Sequence, residues 1–281
     1  MNKGNLTLTL DSDRGRLILS DLAPYRLLSA EGLSGGEWQL LFQKRANEDG
    51  DDYLGCRVGR RQIVLRLEVE RDGDMEERRR ELISFLLPGG EGRLTVERGR
   101  ERRMIDYRLG GVIFTQPHRT DPLQLTLTLV CPDPRFYGEE KRVELRRTVP
   151  LLRFPFFSLA TAGTEGGYRS TVRYLYLDNE GDLPTGVRAE LAVVEGSAKR
   201  PYLYCQGNRV TVDATLTAGD RFVIDTEVGE RGAWVNGGAA QIDMASSFFR
   251  LECGRNLAIV SCSGGGKLDG VLIYRPRYWG A

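Results

Sequence analysis

His118 is the only histidine in this 281-residue chain, and it sits in the turn-like segment TQPHRTDP. A serine or cysteine nucleophile that relies on imidazole as its base has this single candidate, and no G-x-S-x-G elbow accompanies it. One histidine also excludes H-E-x-x-H and every multi-histidine zinc site. His118 therefore reads as a surface-loop or hydrogen-bonded residue. Cys56, Cys131, Cys205, Cys253 and Cys262 are odd in number and show no C-x-x-C spacing. They read as reduced, mostly buried small hydrophobes. SCSGGGKLDG (261–270) looks like a phosphate loop, but the first glycine of that motif would fall on Ser261, and Leu268 follows the lysine. A hairpin turn fits it better.

Carboxylates are plentiful, yet a glycosidase needs two of them held ~5–9 Å apart across a cleft, and no spacing here marks such a pair. The acidic run NEDGDD (47–52) lacks calcium-loop spacing and reads as a solvated loop. Trp38, Trp234 and Trp279 would suit a sugar-stacking platform, although buried or interface aromatics are the commoner use. No catalytic residue, metal ligand or cofactor site is expected.

The elements around these residues are mostly strands. The hydrophobic share of 41% can fill a core, and 28% charged residues suit a soluble surface. Lysine and arginine number 40 against 39 acids, a net +1, so bulk attraction to nucleic acid or membrane is not indicated. No apolar run approaches the ~20 residues of a membrane helix. The N-terminus enters alternation directly without a signal-peptide core, which predicts synthesis in a cytoplasm. Leu6, Leu8 and Leu10 share a face; 63–69, Leu94 with Val96, 106–114 and 123–131 follow as strands.

One stretch differs, DMEERRRELISFLLPGG (74–90). Asp74 caps it with Glu77 three residues on, and Leu82, Ile83, Leu86 and Leu87 offer an apolar face. Pro88 with Gly89 and Gly90 ends it. This helix is expected to pack on the N-terminal sheet.

In LTLTLVCPDPRFYGEEKRVEL (125–145), Pro132 and Pro134 halt a strand, because proline has no N–H for a sheet. Beyond 150 come short candidate strands at 168–177, 187–194, 209–212, 221–225, 248–253, 257–261 and 270–274, with Asn236-Gly237 as a hairpin dipeptide. That spacing predicts a β-sandwich. The chain thus reads as an α+β domain followed by an all-β one. Residues 148–167 form a link rich in apolar residues and expected to pack against something.

The junction LTLVCPDPRFYG, with Cys131, Pro132, Asp133, Pro134, Phe136 and Tyr137, resembles the end of the N-terminal domain in distal tail proteins of long-tailed bacteriophages. Blocks at 177–196, 215–238, 245–265 and 271–280 resemble, in order, that family's C-terminal domain. Their most specific positions are Asn179, Gly181, Gly219, Asp220, Asp225, Asn236, Gly237, Gly254 and Asn256. The resemblance implies a mainly β chain. Residues 1–147 would be a tail-tube-like, ring-forming β-sandwich with one α-helix, and 148–281 a galectin-like β-sandwich. It further implies a non-enzymatic virion protein at the tail tip, made in the host cytoplasm, whose six copies form a ring. The implied partners are the tail tube protein, the tail hub and receptor-binding or other baseplate proteins; the tape measure and DNA pass through the channel, and no membrane is involved.

A closed ring needs two complementary patches per subunit, and exposed β-edges can be covered by a neighbour. The segment KRANEDGDDYLGCRVGRR (44–61) is longer than a hairpin requires. Its Asn47, Glu48, Asp49, Asp51, Asp52, Arg57, Arg60 and Arg61 are expected to reach a neighbour; a mobile surface loop is the plainer reading. A galectin-like domain suggests sugar binding, but this half has no histidine, and Trp234 beside Asn236 is the one local hint, so a docking scaffold is preferred. The alternative from another class is a carbohydrate-binding module of a cell-wall hydrolase.

Overall fold

The computed structural model describes residues 6–281 apart from 23, 37, 47, 71–74, 117, 119–120, 151–166 and 172–173. The chain forms two compact units, residues 1–139 with 278–281, and residues 140–277. The second unit opens ahead of the 147/148 division read from sequence, and the last four residues return to the first unit.

The first unit holds β1 (Leu6–Ser12), β2 (Gly15–Leu19), β3 (Tyr25–Glu31), β4 (Trp38–Lys44), β5 (Asp51–Val58), β6 (Arg61–Val69), α1 (Met75–Phe85), β7 (Glu91–Arg98), β8 (Glu101–Thr115), β9 (Leu123–Cys131) and β10 (Phe136–Tyr137). Its sheet runs β2-β1-β7-β8-β9-β6-β3, with β10 added on β8. β6 and β9 pair from Arg61↔Cys131 to Val69↔Leu123. Their strict alternation therefore puts Ile63, Leu65 and Leu67 beside Leu125, Leu127 and Leu129 in one core.

The helix forms where expected and closes that core with Leu82 and Leu86, each contributing roughly 1.5–3 kcal/mol by burial. Ile83 and Leu87, expected on the same face, are exposed. Ile83 stands 100° round the helix from Leu82, whereas Leu87 lies beyond the helix end at Phe85. The cap expected at Asp74 lies outside the described residues.

The second unit contains β11 (Lys141–Glu144), β12 (Arg146–Pro150), β13 (Gly167–Thr171), β14 (Tyr174–Asn179), β15 (Arg188–Glu195), β16 (Ser197–Cys205), β17 (Asn208–Thr211), β18 (Thr215–Thr217), β19 (Arg221–Asp225), β20 (Gly232–Val235), β21 (Gly238–Ala239), β22 (Gly254–Ser263) and β23 (Lys267–Tyr274). One sheet runs β11-β23-β15-β19-β20-β21 and the other β14-β22-β16-β17 with β18 on β16. A single core, including Leu177, Leu191, Leu203, Phe222, Ile224 and Leu272, draws on both sheets. β12 and β13 pair with each other, and most of the expected link, 151–166, is outside the described residues.

Three local expectations change. Gly264–Gly266 does not close a hairpin, because β22 and β23 belong to different sheets; the three glycines carry the chain from one layer to the other. Phe248–Cys253 is not a strand. Its apolar side chains Phe249 and Leu251 are buried, but the backbone makes only the isolated bridge Thr185↔Leu251. The run 168–177 falls into two elements, β13 and β14. Asn236-Gly237 is the expected two-residue turn, with φ of 48° and 84°, joining β20 to β21.

Candidate assembly surface

β4 and β5 form a two-stranded ribbon of their own, paired from Trp38↔Val58 to Lys44↔Asp51. Among the described residues neither strand joins another sheet, so both outer edges are open there. Leu40, Phe42 and Cys56 share one side, and the bulge between Leu41 and Phe42 lets Tyr53 meet the Phe42 ring at 5.7 Å. Trp38, Leu40, Leu41, Phe42, Tyr53 and Leu54 are all at least half exposed. An isolated hairpin is marginally stable in water, and an apolar face of this kind marks a contact surface.

The ribbon is anchored at its base. Trp38 lies 5.9 Å from Trp279, centroid to centroid. Arg61, the first residue of β6, is only 4% exposed. Its Nε donates to the Pro134 carbonyl at 2.7 Å, Nη1 to the carbonyls of Gly32 (2.8 Å) and Gly35, and Nη2 to that of Trp279 at 2.5 Å. Phe136, fully buried, lies beneath the guanidinium at 5.1 Å. Burial lowers the Arg61 pKa, yet an arginine remains a cation at any ordinary pH.

Of the residues expected to reach a neighbour, Glu48, Asp49, Asp51 and Asp52 lie at the ribbon's exposed tip, Arg57 on β5 and Arg60 just beyond it. Asp52 pairs with Arg45 at 2.7 Å. Asn47 lies outside the described residues. Arg61 is the correction in this set: its fork is consumed inside its own unit, leaving no face for a neighbour.

The motif positions close turns. Cys131 is buried at the end of β9, and burial pushes its thiol up to about 12, so it is protonated at neutral pH. The prolines bend the chain so that Pro134 presents its carbonyl to Arg61. Asp133 accepts from the Arg135 N–H at 3.1 Å. The Tyr137 hydroxyl donates to Asp106 at 2.6 Å, and burial raises its pKa.

In the second unit, buried Asn179 donates to the Leu183 and Leu251 carbonyls and accepts from the Gly181 N–H. A Cβ on Gly181 would lie 2.4 Å from the Arg277 carbonyl oxygen. Asp220 accepts from Thr217 N–H (2.7 Å) and Asn236 Nδ2 (2.9 Å), while Asn236 Oδ1 accepts from the Arg221 N–H. Gly219, just before it, donates its N–H to the Val193 carbonyl. Asn256 donates to the carbonyls of Glu252 and Gly254. Asp225 is 4% exposed; desolvation raises its pKa, against the opposing hydrogen bond from the Glu227 N–H.

The remaining candidates from the sequence lie apart from one another among the described residues. His118 is exposed and sits in a turn, its N–H donating to Asp121. Cys56 and Cys253 are exposed, against the expectation that the cysteines are mostly buried. Cys56 stands on a strand that has no core to enter. A recess of about 920 Å³ near the end of the helix holds three arginines, each already engaged: Arg93 with Asp106, Arg108 with Glu91 and Arg14 with the Ser84 carbonyl. Among the described residues no three His, Cys, Asp or Glu side chains are grouped to hold a metal, and no helix is long and apolar enough to cross a membrane. Trp38 and Trp279 meet in the first unit, whereas Trp234 is half-buried on β20 of the second.

Residues 180–278 match the family of the siphovirus-type tail component, C-terminal domain. The matched region spans β15 to β23 and includes every motif position from Gly181 to Asn256. The whole chain is similar in fold to the Dit (gp 19.1) protein of phage SPP1, described as a paradigm of hub adsorption apparatus in phages infecting Gram-positive hosts. The TM-score is 0.66 at 13% identity, covering 96% of this chain and 98% of that one. A chain of the phage P2 baseplate in its activated conformation with Ca aligns at a TM-score of 0.45 and 11% identity, over 95% of this chain and 97% of that one. No curated protein matches by sequence.

Proposed function

We propose that this protein is a distal tail, or baseplate hub, protein that assembles with copies of itself into a ring. Six copies is the number the family resemblance suggests, giving six times the 31.5 kDa chain. The first unit builds the ring and continues the tail tube. The second unit, a galectin-like sandwich in this reading, is a platform for receptor-binding or other baseplate proteins. The tape measure and DNA pass through the central channel, and the protein works at the virion tail tip without catalysis.

The exposed ribbon carries this reading. An apolar face on a two-stranded ribbon with both edges open has no stable use in a monomer. A head-to-tail contact with the next copy covers it and, if the rotation closes, makes a ring. The match of residues 180–278 to that family and the fold shared with SPP1 Dit support the same assignment.

Light scattering on the purified chain, followed by negative-stain imaging, tests it. The expected product is a closed ring with a central hole, lost in the L40S/F42S/Y53S variant. A monomer at every concentration, or a ring untouched by the triple substitution, defeats the proposal.

A further inference from the structure

We propose that the outer face of the β14-β22-β16-β17 sheet in the second unit binds an anionic glycan, a polymer of sugar rings joined through phosphodiesters. The inference goes beyond the tail-tip reading and does not need the ring, because each copy carries the whole surface.

Alternation along these strands sends Leu175, Leu177, Leu203, Ala258 and Val260 into the core and their neighbours outward. The register sets the outward side chains in a grid. Tyr202 faces Ser261, Tyr204 and Tyr174 flank Ile259 from either side, and Tyr176 stands against Leu257. The tyrosines thus form a diagonal strip across three strands, with Ile259 and Leu257 between them. Tyr174 and Tyr176 are 61% and 58% exposed, while Tyr202 and Tyr204 are half-buried. None of these tyrosine hydroxyls makes a hydrogen bond among the described residues. An arginine lies on each end of the strip: Arg209, from β17, over the Tyr202 ring at 5.2 Å, and Arg255, from β22, over the Tyr176 ring at 3.8 Å. Neither guanidinium has a carboxylate partner among the described residues, although Asp178 stands opposite Arg255 in the register. From the strand spacing and the rise per residue, the two ends of the strip lie about 17 Å apart.

Such a strip suits an extended ligand that is apolar on one side, rich in hydroxyls at its edges and negatively charged at intervals. A pyranose ring has an apolar C–H face that lies against the negative face of an aromatic ring, and its hydroxyls meet the free phenol groups. A guanidinium spread on a tyrosine keeps its N–H edge for a phosphate, the fork geometry that favours arginine there. Charge complementarity therefore selects an anionic glycan over a neutral one. Single-stranded nucleic acid also stacks on aromatics, but it needs a cationic groove that tracks its backbone. Here cations cap the ends and only Ile259, Leu257 and the tyrosines lie between them. A protein surface would bury phenol hydroxyls that cost free energy unless each finds a partner, whereas a polyol supplies one at every ring. Trp234, the local hint of sugar binding in the sequence, lies on β20 in the other sheet and takes no part.

Isothermal titration calorimetry on the full-length protein tests this with glycosylated poly(ribitol phosphate), the same polymer without its sugars, neutral dextran and single-stranded oligo(dT). The expected result is binding of the glycosylated polymer, with each of the other probes weaker by about tenfold or more. Tyr174→Ala combined with Tyr176→Ala should abolish the heat while keeping the parent's melting transition, because both side chains are exposed. Arg209→Gln combined with Arg255→Gln should bring the polymer down to the affinity of dextran and remove its salt dependence. No heat with the glycosylated polymer, equal affinity for any other probe, or binding untouched by both pairs of substitutions overturns the proposal. Light scattering of the same samples keeps the two readings apart. A chain that binds the polymer without forming a ring defeats the ring alone, and a ring that binds nothing defeats the glycan site alone.

Discussion

Replacing Arg61 with alanine isolates what one buried cation does for the first unit. Its fork donates to the carbonyls of Pro134, Gly32, Gly35 and Trp279, with a longer contact to Leu33 at 3.4 Å. Hydrogen bonds from a charged donor are each worth about 1.5–3 kcal/mol, but the guanidinium must be stripped of water, and solvent entering the vacated space can serve some of the orphaned carbonyls. Breaking a buried charged network by removing one member typically costs about 3–5 kcal/mol, and that is the expected loss. For a unit of this size the unfolding entropy is about 0.3 kcal/mol/K, so the melting transition should fall by roughly 10–17 °C. Arg61→Lys should recover only part of it, because one ammonium cannot span carbonyls contributed by three separate segments. Differential scanning calorimetry reads the shift. Hydrogen exchange should show loss of protection at 32–35 and at 279–281, where the Ala281 N–H donates to Leu33 and the Ser34 hydroxyl to Ala281. A shift under about 3 °C, or unchanged protection at the chain's end, would refute the reasoning.

Other outcomes follow from the second unit. Gly181→Ala forces a Cβ into the Arg277 backbone at 2.4 Å and should cost about 3 kcal/mol or more by urea unfolding. Gly237→Ala, at φ 84° with open space around it, should cost only about 1 kcal/mol; equal losses would contradict this. Asp225 has a raised folded pKa, so burial of its charge opposes folding at neutral pH and is relieved as pH falls toward that pKa. Asp225→Asn keeps an acceptor for the Glu227 N–H and should stabilise at pH 7 but not at pH 3; a loss at pH 7 would reverse the assignment. Asp220 behaves oppositely: its hydrogen bonds from Thr217 and Asn236 lower its pKa. Its contribution is present above the ordinary carboxylate pKa, about 3.9, and is lost as pH falls through the lowered value. Asp220→Asn should therefore flatten the acid limb of the stability profile, and an unchanged limb would argue against it.

The alternating leucines of β6 and β9 were legible because a period of two, bounded by turn residues, has one way to bury a face. The same holds for the Asn236-Gly237 turn, whose positive φ angles suit few other dipeptides. The helix could be read from its end signals, but not which of Leu82, Ile83, Leu86 and Leu87 would be covered, since that depends on the sheet beneath. The two ribbon strands are not legible in the sequence. WQLLFQK and DDYLGCRV do not alternate cleanly, because no core imposes a period on them and a bulge breaks their register. Their length and charge still marked the tip as a contact candidate.

Arg61 shows the limit most plainly. As a letter beside Arg57 and Arg60 it belonged to a basic surface cluster. The fold turned it inward because segments near residues 32–35, 134 and 279 bring their carbonyls to one point. Sequence by itself determined the mainly β class, the sandwich half and the turn positions, since these rest on short-range periodicity and backbone preference. Tertiary structure decided which edges stay open, which charges are buried and which glycine run crosses between sheets. Those depend on contacts between residues tens to hundreds of positions apart, which no local pattern encodes.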